Sequence, residues 1–440
     1  MRTLIKNGYV IDPASKLEGN YDVLIDGDRI KRIDKNIDPA DEAGVFLVDA
    51  AGGYVMPGFI DLHVHLREPG YEYKETLRSG SKAAAAGGFT TICPMPNTKP
   101  AIDSSDRIEL VLKKAGQEGV VNILPVGAIT CGQEGRELTD IPAMAEAGAI
   151  ALSEDGKSVM DTALYAEAMR EAAACGIPVF AHCEDKSLAG RGVINAGKKA
   201  EELGLAGISN AVEDIIAARD ILLAKETGVR LHLCHCSTAD SVRMLALARE
   251  SGLKVTAEVC PHHFTLSDED IPGDYSDYKM NPPLRSAADV KALKAALRDG
   301  IIDVIATDHA PHSREEKEKS FRESPFGIVG LETAFALTVT ELVKPGYLTP
   351  GQMVEKLSTN PARILGIDRG RLFEGCIADI VIADPQQEYV IDKSKFFSKG
   401  KNTPFDGRKV QGKVLYTFVA GKLVYDGSRH MIYDKTEDQG

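Results

Sequence analysis

No stretch of this sequence runs for about 18 apolar residues, so no membrane-spanning helix is expected. Basic charge is also short: 52 Lys and Arg face 65 Asp and Glu, for a net charge of −13, and no basic stripe occurs. That balance argues against nucleic acid or an anionic membrane as partner. The first residues, MRTLIKNGYVIDP, alternate like a strand and lack the unbroken apolar centre of a secretion signal, so a cytoplasmic protein is expected. Cysteine is too sparse for a disulfide-stapled scaffold. The eight residues lie mostly in apolar runs and read as reduced, buried thiols. Cys234 and Cys236 flank His235, and strand alternation would point both to one face, opposite the histidine. What is present, 43% hydrophobic and 27% charged residues over 440 positions, is the make-up of a globular chain with one large and one small domain.

The pattern changes twice along the chain. Residues 1–54 read as short strands with Asn-Gly and Asp-Gly turns, and residues 367–440 repeat that texture before a polar end, DKTEDQG. Neither end carries enough apolar residues to stand alone, so the two are expected to form one small β-domain. Residues 55–366 repeat apolar strand, loop and amphipathic helix. Eight strands can be marked: GFIDLHV, TTICPM, VNILPVGAI, AIALSE, IPVFAHC, VRLHLCH, KVTAEVC and DVIATDH. The helical stretches between them start at Ser, Thr or Asp and stop at Gly, and the one after strand three is weak. The prediction is an α/β chain with a TIM-type (β/α)8 barrel; a doubly wound open sheet is the alternative.

In a parallel barrel the carboxyl ends of the strands converge on one face. Strand one ends in His63 and His65, strand four runs into Asp155, strand five reaches His182, strand six His235 and strand eight Asp308. Singly, each has a bland reading: a rim histidine, or a helix-capping aspartate. Together they would have to coincide on one rim by chance, so a metal site is predicted. Imidazole and carboxylate without thiolate favour Zn²⁺ over Mn²⁺, Co²⁺ or Fe²⁺. Six ligands exceed one tetrahedral ion. The expected division is His63, His65 and Asp308 on one ion and His182 and His235 on another, with Asp155 between.

The runs PGFIDLHVHLREPG (57–70), MPNT (95–98), IATDHAPHS (305–313) and GCIADIVIADP near the C-terminus are specific, and by them the chain resembles the dihydroorotases of the amidohydrolase superfamily, in their longer bacterial form. The resemblance spans essentially the whole chain. It implies a metal-dependent hydrolase barrel with a small β-sandwich domain from both termini, and one or two zinc ions. Relatives such as the dihydropyrimidinases bridge their metals with a carboxylated lysine on strand four; here ALSEDGKSV puts Asp155 at that place and leaves Lys157 in the following loop. The resemblance further implies that Arg67, Asn97 and His312 hold the substrate carboxylate and that Asn281 touches the ring amides. The charged stretch HSREEKEKSFRESPFGIVG after strand eight reads either as a solvated loop or as a lid over residues 312–327 with a backbone contact to substrate at Gly327. His262 and His263 read as structural. The implied reaction interconverts N-carbamoyl-L-aspartate and L-dihydroorotate, with Asp308 moving the proton between attacking water and departing nitrogen.

Allantoinase and dihydropyrimidinase or hydantoinase activities would share the metals but need no cation for a ring carboxylate, so Arg67 counts against them. A non-catalytic partner of aspartate transcarbamoylase would be expected to have lost metal histidines, and none is missing. An active enzyme that also docks on the transcarbamoylase stays open, and a homodimer is the family expectation.

Overall fold

In a computed structural model of the chain, residues 2–42 and 44–434 are described; the polar end beyond Asp434 lies outside them. Eight parallel strands form the barrel. Phe59–Val64, Phe89–Pro94 and Asn122–Ile123 pair in sequence, and Val126–Ala128, Ala151–Ser153, Val179–Ala181, Leu231–Leu233, Val255–Val259 and Val304–Ile305 continue the ring. The third strand is split at Leu124 and Pro125. It still joins the two runs, because Leu124 N–H donates to Ile92 O and Ile150 N–H to Pro125 O, each at 3.0 Å. Strand eight closes on strand one through a parallel bridge between Val64 and His309 and a 2.8 Å bond from His65 N–H to His309 O. The open-sheet alternative is thereby excluded.

Local chemistry sets the helices. Thr76 and Ser79 make a reciprocal capping box at Leu77–Ala86, Asp161 caps Thr162–Cys175, and Gly176 and Gly228 end their helices in the left-handed region. The weak stretch after strand three holds a short helix, Ile141–Glu146. The apolar interior is layered. Ile60, Leu62, Cys93, Phe180, Cys234 and Val304 belong to one cluster, and a larger one, including Cys236, lies where strands meet helices. Cys234 and Cys236 therefore do not share a face as alternation suggested. The strand stops at Leu233, and His235 has φ 34°, which turns the chain between the two thiols.

The termini share one nine-stranded sheet. From one edge its order is Met431–Ile432, Lys422–Asp426, Lys409–Val419, Ile380–Val390, Tyr54–Pro57, Arg2–Asp12, Leu17–Asp26 and Arg29–Asp34, with Val45–Asp49 also pairing along Arg2–Asp12. Its core draws on both ends of the chain: Ile5, Val23 and Ile25 pack with Ile380, Ile382 and Phe418. No helix among the described residues is long and apolar enough to cross a membrane. All eight cysteines are free thiols.

Candidate active site

The strand ends do converge. His65 Nε2 lies 3.0 Å from Asp308 Oδ1, and His63 Nε2 lies 3.6 Å from the same oxygen. Asp155 Oδ1 stands 3.2 Å from His63 Nε2, 3.4 Å from His182 Nδ1 and 3.7 Å from His235 Nε2. Asp155 thus sits between two groups of imidazoles. His63, His65 and Asp308 form one set of donor atoms that could hold an ion, and His63, Asp155 and His235 form another. His63 Nε2 and Asp155 Oδ1 are buried, and neither makes a hydrogen bond. Buried polar atoms are rarely left unpaired, and a pair converging without a shared proton suits a common cation.

Backbone strain aims these groups. Arg67, His235 and Asp308 all have positive φ, at 62°, 34° and 48°. Non-glycine residues rarely adopt that region, and functional sites are where they gather.

The electrostatics call for positive charge. Burial disfavours charge on His63, yet Asp155 carries its pKa well above the usual histidine range. His182 is likewise lifted to about 10, because Asp155 and Glu184 outweigh desolvation. Asp155 and Asp308 are held well below the carboxylate range by the imidazoles, again against burial. The donor set needs a cation or protons at its centre, so a divalent metal fits.

Supporting residues absent from the sequence reading hold the ligand-type histidines. Glu258, mid-strand and fully buried, accepts from His63 Nδ1 at 2.8 Å, His232 Nε2 at 3.0 Å and His235 N–H at 3.2 Å. A carboxylate only accepts, so His63 Nδ1 is the donor and Nε2 faces the centre. Despite burial, the His232 and His63 bonds hold Glu258 down at about 2. Asp61 accepts from His63 N–H and from the N–H and hydroxyl of Thr307; burial raises it to about 7. Glu184 joins His182 Nε2 (3.1 Å) to the Asn281 amide (3.1 Å). Each of these acids lies in or beside an apolar run, where a lone carboxylate gives little signal.

The residues expected on the substrate side are placed unevenly. Asn97 Oδ1 takes His65 Nδ1 at 2.9 Å and its amide donates to Asp155 Oδ2 at 3.1 Å, leaving one amide N–H. Arg67 Nε donates to Pro311 O at 3.1 Å, and its Nη2 is 3.3 Å from His312 Nε2. Lys74 can only donate, so at 3.2 Å it makes His312 Nδ1 the acceptor and Nε2–H the donor to Phe326 O at 2.7 Å. Burial, helped by Arg67 and Lys74, keeps His312 neutral. Gly327 has both backbone groups engaged: N–H to Lys279 O at 2.9 Å, and C=O with Lys317 Nζ (3.1 Å) and Asn402 (3.0 Å). At φ 131° it also lies so close to His312 that a Cβ there would meet Nε2 at 3.0 Å. Lys157 points away, donating to Gln133 O at 2.9 Å. His262 and His263 are buried, and burial lowers both pKa values, His262 to about 4.

Residues 52–241 match the family described as Dihydro-orotase-like. A dihydroorotase of Pelotomaculum thermopropionicum is 50% identical over 96% of this chain and 98% of its own. One of Caldanaerobacter subterraneus subsp. tengcongensis is 48% identical over 99% and 100%. Among solved structures, the L-hydantoinase (dihydropyrimidinase) of Arthrobacter aurescens superposes with a TM-score of 0.87 at 29% identity, over 98% of each chain. A dihydropyrimidinase from Brevibacillus agri gives 0.84 at 25%, over 99% of this chain and 96% of that one.

Proposed function

We infer the residue roles that follow from one premise: the chain belongs to the dihydroorotase family. It is a metal-dependent cyclic amide hydrolase that interconverts L-dihydroorotate and N-carbamoyl-L-aspartate in pyrimidine biosynthesis. The observation that carries the assignment of residues is the meeting of His63 Nε2 and Asp155 Oδ1, buried and unpartnered, at the rim where four imidazoles and two carboxylates gather. In our reading His63, His65 and Asp308 would hold one ion and His182 and His235 a second, with Asp155 available to both. Zn²⁺ suits this thiolate-free donor set, with two ions favoured over one. Such an ion, when bound, polarises the amide carbonyl and lets a water react near neutral pH.

The remaining chemistry falls to the chain. Asp308 takes the proton of the attacking water and delivers it to the departing ring nitrogen; ring closure runs the same path in reverse. Arg67 pairs with the substrate carboxylate, helped by the free amide N–H of Asn97 and by His312 once its Nε2–H leaves Phe326 O. Asn281, tied to Glu184, reaches the ring amides. Residues 312–327 act as a lid, and contact through the Gly327 backbone needs that lid to shift. A homodimer is the family expectation for this chain, and docking on aspartate transcarbamoylase stays an open alternative to an enzyme acting alone. The free thiols are in keeping with a cytoplasmic setting.

The test is turnover of dihydroorotate by purified protein, beside dihydrouracil and allantoin, with zinc counted on the same sample. Selective turnover of dihydroorotate with one to two zinc ions per chain is expected. In Arg67→Ala, KM should rise sharply with zinc unchanged; loss of zinc in that variant would refute the assigned role.

A further inference from the structure

Outside this centre lies a carboxylate with no cation in ion-pair contact among the described residues, Glu332. Its oxygens accept the backbone N–H groups of Phe397 at 2.9 Å and Ser398 at 3.1 Å. Lys401, the cation that most affects it, donates its own hydrogens to the carbonyls of Phe396 and Ser398. Burial drives the Glu332 carboxyl up to about 8. The side chain lines a cavity of about 230 Å³ between the barrel helix Ala334–Thr338 and the terminal sheet, with Phe335, Tyr389, Phe396 and Tyr425 among its walls. Tyr425 is buried and Tyr389 half-buried, and both line this cleft. Of the lining lysines, Lys395 pairs with Asp392 at 3.5 Å, and Lys413 makes no ion pair with Glu332.

This chemistry selects its ligand. Raised to about 8, the carboxyl is mostly protonated at neutral pH while the cleft is empty, and a neutral guest gives it no counter-charge against which to ionise. An ammonium or guanidinium would stabilise its ionised form by a charge-assisted hydrogen bond and lie against aromatic walls that attract cations. The volume suits a single-ring amine, being below the range of roughly 300–1,000 Å³ of drug-sized pockets.

The segment that accepts this charge also braces the catalytic rim. Ser398 Oγ donates to Glu75 Oε2 at 2.5 Å, and the same oxygen is 3.3 Å from His309 Nε2. His309 follows Asp308 in sequence, and its carbonyl holds His65. Asn402, four residues beyond Ser398, binds Ala310 O at 3.1 Å, Gly327 O at 3.0 Å and His312 N–H at 3.1 Å.

We propose that the cleft between barrel and terminal sheet is a second binding site, for a small organic ammonium or guanidinium ion, and that its occupancy is relayed through residues 396–402 to the substrate side of the catalytic rim. The relay rests on the substrate roles given above; the binding site does not.

The holoenzyme is titrated by calorimetry with phenethylammonium and phenylguanidinium, with 2-phenylethanol as the neutral match. Saturable binding of the cations is expected, weakened about tenfold in Glu332→Gln, with the alcohol at least tenfold weaker. Circular dichroism and zinc content confirm that the variant is folded. Should Glu332→Gln fail to fold, the cation–alcohol pair still decides. No saturable binding, equal binding of the alcohol, or full affinity in a folded Glu332→Gln overturns the site. With the cation saturating, KM for dihydroorotate should move about threefold or more in wild type and stay put in Glu332→Gln. Binding without that shift overturns the relay and leaves the site standing.

Discussion

Glu258 decides which nitrogen of His63 faces the centre, because an acceptor-only carboxylate fixes the proton on Nδ1. In Glu258→Gln the amide can accept from only one of His63 and His232 and must offer N–H to the other. We expect zinc affinity to fall by about 10- to 100-fold with the fold intact, read by competition with a chelator. Unchanged affinity would mean that the ring is held by packing alone. Lys317 offers a second test. Its ammonium is buried, donates to the carbonyls of Pro325 and Gly327 at 3.2 and 3.1 Å, and has its pKa lowered to about 7 by burial. Between about pH 7 and 10.5 the unfolded chain carries this proton and the folded one does not, so stability should rise with pH. Lys317→Met should flatten the slope by up to about 1.4 kcal/mol per pH unit, measured by urea unfolding across that window. Parallel wild-type and variant slopes would show that Lys317 keeps its proton. At this scale the sequence spoke clearly only where polar residues ended apolar runs, as with His63, His65 and Asp308. Glu258 and His232 sit inside strands and read as ordinary members of them, since nothing local says that each answers the other across the barrel.

Among the elements, the segment from Phe396 to Asn402 does more than its sequence suggests. SerLysGlyLysAsn has no periodicity and reads as a turn, yet Asn402 satisfies three backbone groups on the loop that carries His312. Asn402→Ala would leave Ala310 O and His312 N–H unpaired, while Gly327 O keeps Lys317 Nζ, at a cost of about 1–3 kcal/mol for each lost partner that water cannot replace. Thermal unfolding should start lower and KM for dihydroorotate should rise, with zinc content unaltered; a variant with wild-type KM would detach this segment from substrate binding. The eight strands were legible because strands buried on both faces read as apolar runs. The helices after strand eight, Ala334–Thr338, Pro350–Val354 and Asn360–Leu365, were not. They are short and interrupted, five or six residues each, so no helical period can show itself in the sequence. The small parallel pair Ile194–Asn195 and Gly207–Ile208 was missed because two-residue strands carry no pattern.

For the whole molecule, the terminal sheet is the feature on which the barrel leans. Tyr54–Pro57, which leads into the first barrel strand, is hydrogen-bonded to Ile380–Ala383 on one side and Arg2–Asp12 on the other. A chain stopped after Gly366 would lose Ile380, Ile382 and Phe418 from the shared core and bare the Tyr54–Pro57 edge. We expect it to be insoluble or to lack a cooperative unfolding transition. A soluble, zinc-binding product by gel filtration and circular dichroism would show that the barrel is self-sufficient. That sheet also sets a schedule. During translation Tyr54–Pro57 emerges more than three hundred residues before its partner Ile380–Ala383, an interval of roughly 15–60 s at typical synthesis rates. Throughout that time the nascent hairpin of Arg2–Asp12 and Leu17–Asp26 waits with an open edge beside it, the kind that recruits stray strands. The last strands to be made are the ones that seal it, so how fast the ribosome finishes the chain bears directly on how much of it survives to fold.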